Sequence, residues 1–252
     1  DALDNENSIF STQKLKDAIA SIDPKLLPGP AAKDIPNGVN VDKVIAAMQK
    51  KGYSVYANTP YGKNKLNIVG VRDTTTTING KPSNKSFNSP VSNYFTDYIV
   101  MFYYDDKGNR NERIGWVTTA PGLYYEASKF GGNGRTIMIA EGQYIDAYTR
   151  GLHQGKIDTL IQNKNIQYNR DESLDARYNN VKIDTGFFGT NIHPSGNYQN
   201  SDPNKLINNW SAGCQVFRSY DDYLWMMQAV RHQTETSNYK FFTYTLLNNA
   251  DL

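Results

Sequence analysis

The 252 residues contain one cysteine and three histidines. Cys214 lies in Asn209-Trp210-Ser211-Ala212-Gly213-Cys214-Gln215-Val216-Phe217, and upstream stands Gly189-Thr190-Asn191-Ile192-His193-Pro194-Ser195-Gly196. Between His193 and Ser211 there are 17 residues. Both segments are strand-and-turn in character, so the intervening chain can fold back and bring imidazole to thiol. A free thiol, with a reference pKa near ~8.5, is mostly protonated at neutral pH, while the nucleophile is the thiolate. A neighbouring histidine takes that proton and later returns it to a leaving amine. Gly213 allows a sharp turn, after which the Gly213 and Cys214 N–H groups can face the oxyanion of an acyl-transfer intermediate. Ser211, Ala212 and Gly213 are small and leave room for substrate.

Each residue also has a plainer reading. A lone cysteine is a small buried apolar residue in many cores, although core packing does not ask for Ser-Ala-Gly before it. His153, in Gly151-Leu152-His153-Gln154-Gly155, is either a cleft residue or a structural one. His232, between Arg231 and Gln233, is expected at the surface. One cysteine excludes an intrachain disulfide and any zinc site built on two thiolates. No metal site is expected.

The elements that must position these residues are mostly strands. Leu66–Val71, Tyr98–Tyr104, Ile114–Thr119, Thr136–Ile139, Tyr144–Tyr148, Thr159–Gln162, Ile166–Tyr168 and Val181–Ile183 are short, rich in β-branched and aromatic residues, and separated by turn residues. Such a series suggests a β-sandwich or barrel. Gly131-Gly132-Asn133-Gly134 reads as a hairpin loop, since no helix pattern follows it to make a dinucleotide fingerprint. Helices flank the strands. Val41, Val44, Ile45 and Met48 share one face, with Asn40 as N-cap and Gly52 at the C-terminal end. A second helix starts at Ser219, where Asp222 completes a capping-box spacing. Tyr239–Leu247 reads as a closing strand. Residues 1–36 read as an N-terminal extension or linker: a short amphipathic helix pattern (Leu15, Ala18, Ile19, Ile22), then Pro24, Pro28 and Pro30. Residues 37–252 form the main domain.

Lys plus Arg total 27 and Asp plus Glu total 25, a formal charge of +2. That balance argues against a dedicated nucleic-acid binder. No stretch approaches the roughly 20 apolar residues of a membrane span.

His193, the spacer and Ser211-Ala212-Gly213-Cys214 together resemble the signature of the L,D-transpeptidase catalytic domain family (YkuD-like). That signature is a histidine, a spacer of this length, then Ser or Thr, His, Gly, Cys, a hydrophobic residue, and Arg or Asn. The match covers about residues 186–218. Ala212 stands at the second histidine, Gln215 at the hydrophobic position and Val216 at the Arg/Asn position, with Arg218 two residues on. Trp210–Val216 with Asn191-Ile192-His193 resembles a divergent, phage-related and envelope-associated branch. The resemblance implies a β-sandwich of the L,D-transpeptidase type with a helix after the catalytic cysteine. It implies Cys214 as nucleophile, His193 as base, and the Pro194 carbonyl as the group that orients the imidazole. Asn191, Pro194, Ser195, Trp210, Arg218 and His153 become the candidate substrate-cleft residues. The implied partners are peptidoglycan stem peptides, handled outside the cytoplasm or on a virion, with no cofactor. The acceptor is an amine in transpeptidation or water in an L,D-carboxypeptidase or endopeptidase. A non-catalytic peptidoglycan-binding or virion-associated structural domain is the reading from another class.

Overall fold

The computed structural model describes residues 38–127, 136–171, 173, 175–179, 182–196 and 205–252. The extension at 1–36, the loop at 131–134 and Val181 lie outside them. In chain order the main elements are α1 (Val41–Lys50), β1 (Asn67–Arg72), β2 (Thr77–Ile78), β3 (Lys81–Pro82), β4 (Asp97–Tyr104), β5 (Arg110–Thr118), α2 (Leu123–Glu126), β6 (Thr136–Ile139), β7 (Gly142–His153), β8 (Ile157–Gln162), β9 (Ile166–Asp171), β10 (Lys182–Gly186), β11 (Ile192–Pro194), β12 (Gln215–Phe217), α3 (Tyr220–Ser237) and β13 (Phe241–Asn248). Eight strands close into a barrel in the order β1-β13-β7-β8-β11-β12-β5-β4, beside a β10-β9-β6 sheet and a small β2-β3 hairpin. Of the sandwich-or-barrel choice, the strand pairing takes the barrel. No described helix is long and apolar enough to cross a membrane.

The wholly apolar run of β4 has a direct cause: both of its faces are covered. Ile99, Met101 and Tyr103 join one apolar cluster with Trp225, Met226 and Val230 of α3. The alternate residues Tyr98, Val100 and Phe102 join a second cluster with Val41, Val44 and Met48 of α1. Period-2 alternation therefore feeds two cores. Each large side chain so buried contributes roughly 1.5–3 kcal/mol. Asn40 caps α1 as expected, accepting from Lys43 N at 2.9 Å.

The expected capping box at α3 does not form. Ser219 occupies the N-cap position but its side chain makes no cap bond. Asp222 turns instead to β5, where Arg113 Nε donates to it at 2.7 Å. A buried carboxylate gains more from a guanidinium than from an N-cap amide. Gly115 makes the approach possible, since a Cβ there would sit 2.5 Å from Asp222 Oδ2.

The strands that hold the site are β11 and β12, which pair in parallel with Ile192 opposite Gln215, His193 opposite Val216 and Pro194 opposite Phe217. Parallel neighbours need a crossover of roughly a dozen residues or more. The spacer between His193 and Ser211 is that crossover.

Candidate active site

Cys214 precedes β12 and His193 is the middle residue of β11. The site extends along this parallel pair, because Gln215 N donates to Asn191 O at 2.9 Å. A third strand contributes as well. His153, the last residue of β7, lies with its ring stacked on His193, centroids 4.2 Å apart and planes at 19°. One nitrogen of each ring and Cys214 Sγ all lie within 4.8 Å of one another. Both rings are buried, whereas the thiol is half-buried.

The turn before the cysteine is closed by Ser211. Its Oγ accepts from Gly213 N at 3.1 Å and donates to Cys214 O at 2.7 Å. This corrects the expected oxyanion role of Gly213: its amide is already taken by Ser211. The Cys214 amide makes no backbone hydrogen bond among the described residues. Gly213 has another function. Its φ is +143°, and a Cβ there would lie 2.5 Å from Ile137 Cγ1 and 2.7 Å from Ile137 O. β6 thus presses directly on the turn, and Ile137 N donates to Ala212 O at 3.3 Å. Ala212 itself is exposed, which keeps the front of the turn open.

The departures from the family signature have local reasons. Gln215 is buried and ties the turn to the barrel, with Nε2 donating to Gly213 O at 3.3 Å and Oε1 accepting from Tyr244 Oη at 2.6 Å. Val216 is buried with Phe95 and Ile207, in a cluster against which Trp210 and Cys214 pack. Arg218 is held elsewhere, its guanidinium 5.1 Å over the Trp116 ring. Ser195 is buried at the end of β11, its amide donating to Phe217 O at 3.0 Å. Lys205, which the sequence did not single out, joins the two sides. It donates to Ser195 O and lies 5.2 Å over the Trp210 ring. His232 is half-buried rather than fully exposed; its ring lies tilted against Tyr103 at 4.7 Å, and it bonds Asn64 Oδ1 at 2.9 Å.

The hydrogen bonds fix the tautomers. His193 Nδ1 lies 2.9 Å from Pro194 O, and a carbonyl only accepts, so Nδ1 carries the proton and Nε2 keeps its lone pair. His153 is the reverse. Gln162 N, which only donates, reaches Asn191 Oδ1 at 3.0 Å, so Asn191 Nδ2 is the atom 2.8 Å from His153 Nδ1. His153 Nδ1 accepts, and its Nε2 is protonated. This bears on metal binding. Coordination of an ion through His153 Nε2 would require that proton to move to Nδ1, where the Asn191 amide donor already sits.

Burial keeps the whole group neutral. It pushes His153 down to about 4. His193 falls to about 3, by burial and the neighbouring His153, against the Pro194 bond. The Cys214 thiol rises to about 11, against the Asn191 backbone hydrogen bond. The thiol points its proton at Gly189 O, 3.7 Å away. Both shifts favour a thiol–imidazole pair at rest over a thiolate–imidazolium pair. Gly189 and Gln162 carried no signal in the sequence that marked them as site residues.

No protein-family model, curated protein or solved structure matches the chain.

Proposed function

We propose that the chain is a cysteine acyltransferase of the L,D-transpeptidase type, acting on peptidoglycan stem peptides. The observation that carries this reading is the convergence of Cys214 Sγ with a base, His193, whose Nδ1 is held by the Pro194 carbonyl. In the first half-reaction Sγ attacks the carbonyl carbon at the L,D-linked diamino acid while the thiol proton passes to His193 Nε2. The Cys214 amide donates to the oxyanion. Collapse breaks the C–N bond, the His193 proton goes to the departing D-amino acid, and a thioester remains. In the second half-reaction an amine of another stem attacks the thioester and gives a proton to His193. That proton returns to Sγ as the thioester breaks. Water in place of the amine gives hydrolysis with the same residues.

In this reading the eight-stranded barrel is a closed relative of the family's sandwich, and the location is extracytoplasmic or on a virion. The test is incubation with muropeptides and mass spectrometry of the products, alongside Cys214→Ala. Cross-linked dimers support transpeptidation, and shortened stems or released D-amino acids support hydrolysis. Unchanged substrates with the wild-type protein refute both and leave the non-catalytic binding domain.

A further inference from the structure

His153 is not needed as a base, yet it is among the most constrained side chains of the site. The chain of contacts starts at Gln162. Its backbone N–H fixes Asn191 Oδ1 at 3.0 Å, and Asn191 Nδ2 then fixes His153 Nδ1 at 2.8 Å. The side chain of the same glutamine works in the other direction. Its Oε1 accepts from Phe188 N at 3.2 Å and from Thr190 N at 3.1 Å, on either side of the Gly189 carbonyl that holds the thiol. One residue of β8 therefore sets the tautomer of His153 and the position of the resting thiol's acceptor.

We infer that His153 is a positioning residue: a neutral imidazole, locked by Asn191 with its proton on Nε2, whose face holds His193 neutral with the Nε2 lone pair free for Cys214. This rests on the acyl-transfer reading of His193 and Cys214. With Nδ1 engaged by an amide donor, His153 cannot take up a proton without breaking that bond, so it does not compete for the thiol proton. Its ring covers one face of His193 at stacking distance and keeps water from it, which disfavours an imidazolium there. Among the described residues, the other titratable groups that feel the thiol are the phenols of Tyr125 and Tyr148, which burial holds neutral. His193 is left as the sole proton acceptor of the group.

The test is imidazole nitrogen NMR of the full chain labelled with ¹⁵N-histidine, with peaks assigned through His153→Gln and His193→Gln. At pH 7 the wild-type protein should show His153 with Nδ1 bare and Nε2 protonated, and His193 with the opposite pattern. Both rings in one tautomer, or His153 titrating to a cation above pH 6, overturns the inference. His153→Ala supplies the second readout. Opening that face should raise the His193 titration midpoint by at least one pH unit, and an unmoved midpoint contradicts the positioning role. Neither readout uses a substrate. Failure of the wild-type protein to act on muropeptides would count against the acyl-transfer reading alone.

Discussion

Alkylation of Cys214 by iodoacetamide should be slow at neutral pH and should accelerate about tenfold per pH unit up to about pH 11. The free energies follow from the site. The thiol at about 11 and His193 at about 3 are about 8 pH units apart, so moving the proton between them costs about 11 kcal/mol before the new charges attract. Opposite charges within 4.8 Å of each other recover about 3–4 kcal/mol at an effective dielectric near 20. The neutral pair wins by about 7 kcal/mol. At pH 7 the reactive thiolate is then on the order of 10⁻⁴ of the population, against on the order of 10⁻² for an unperturbed thiol near pKa 8.5. The rate should be about 100-fold below that of a free cysteine measured in the same buffer. The assay is second-order alkylation followed by intact mass from pH 5 to pH 11, with N-acetylcysteine as reference. A rate that is high and flat between pH 5 and pH 8 would reveal a preformed thiolate–imidazolium pair and rule out the neutral pair. The neutral pair also means that proton transfer must accompany attack on the substrate carbonyl rather than precede it.

Gly213→Ala places a Cβ 2.5 Å from Ile137 Cγ1 at a φ of +143° and should cost about 2–4 kcal/mol. Calorimetry should show a Tm lowered by about 5–15 °C, and an unchanged Tm would mean that β6 does not press on the turn. Asp222→Ala strands the Arg113 guanidinium, which is buried in the β5–α3 packing. Urea unfolding should register a loss of about 3–5 kcal/mol, whereas a loss under 1 kcal/mol would place the pair in solvent. Glu126 is pushed up to about 8, by burial first, with Asp171 adding to it and the Thr136 hydroxyl opposing. An acid raised in the fold contributes fully below its unfolded value near 4.5 and loses that contribution as pH rises through about 8. Glu126→Gln removes this dependence, so the variant should gain about 3 kcal/mol over wild type at pH 7 and almost none at pH 4. Equal stability curves from pH 4 to pH 9 would contradict it.

The site was legible where chemistry depends on residue type and spacing. Cys214 and His193 are scarce residues, and the 17-residue spacer matches what a parallel β11–β12 crossover requires. What stayed hidden depends on three-dimensional neighbours. His153 comes to the thiol from the far end of β7, 40 residues before His193, and no local pattern announces that meeting. Gly213 and Ser211 read together as an open oxyanion turn, but the hydroxyl closes on the glycine amide, a competition that only the folded backbone decides. Among the elements, β4 was plain because its apolar run is continuous. The ends of β5 and β7 were not, since Arg110–Arg113 and Thr149–His153 carry polar residues into paired backbone. The Ser219–Asp222 spacing was a sound local signal that a longer-range partner, Arg113, overrode.

The central claim, that Cys214 with His193 forms a thioacyl-enzyme on stem peptides, is tested most directly by acid-quenched mass spectrometry of the protein mixed with muropeptide. The intact mass should increase by the acyl donor less its leaving D-amino acid, with the increase mapped to the Cys214 peptide and lost in Cys214→Ala. Turnover of the same muropeptide with an undiminished rate in Cys214→Ala would contradict it.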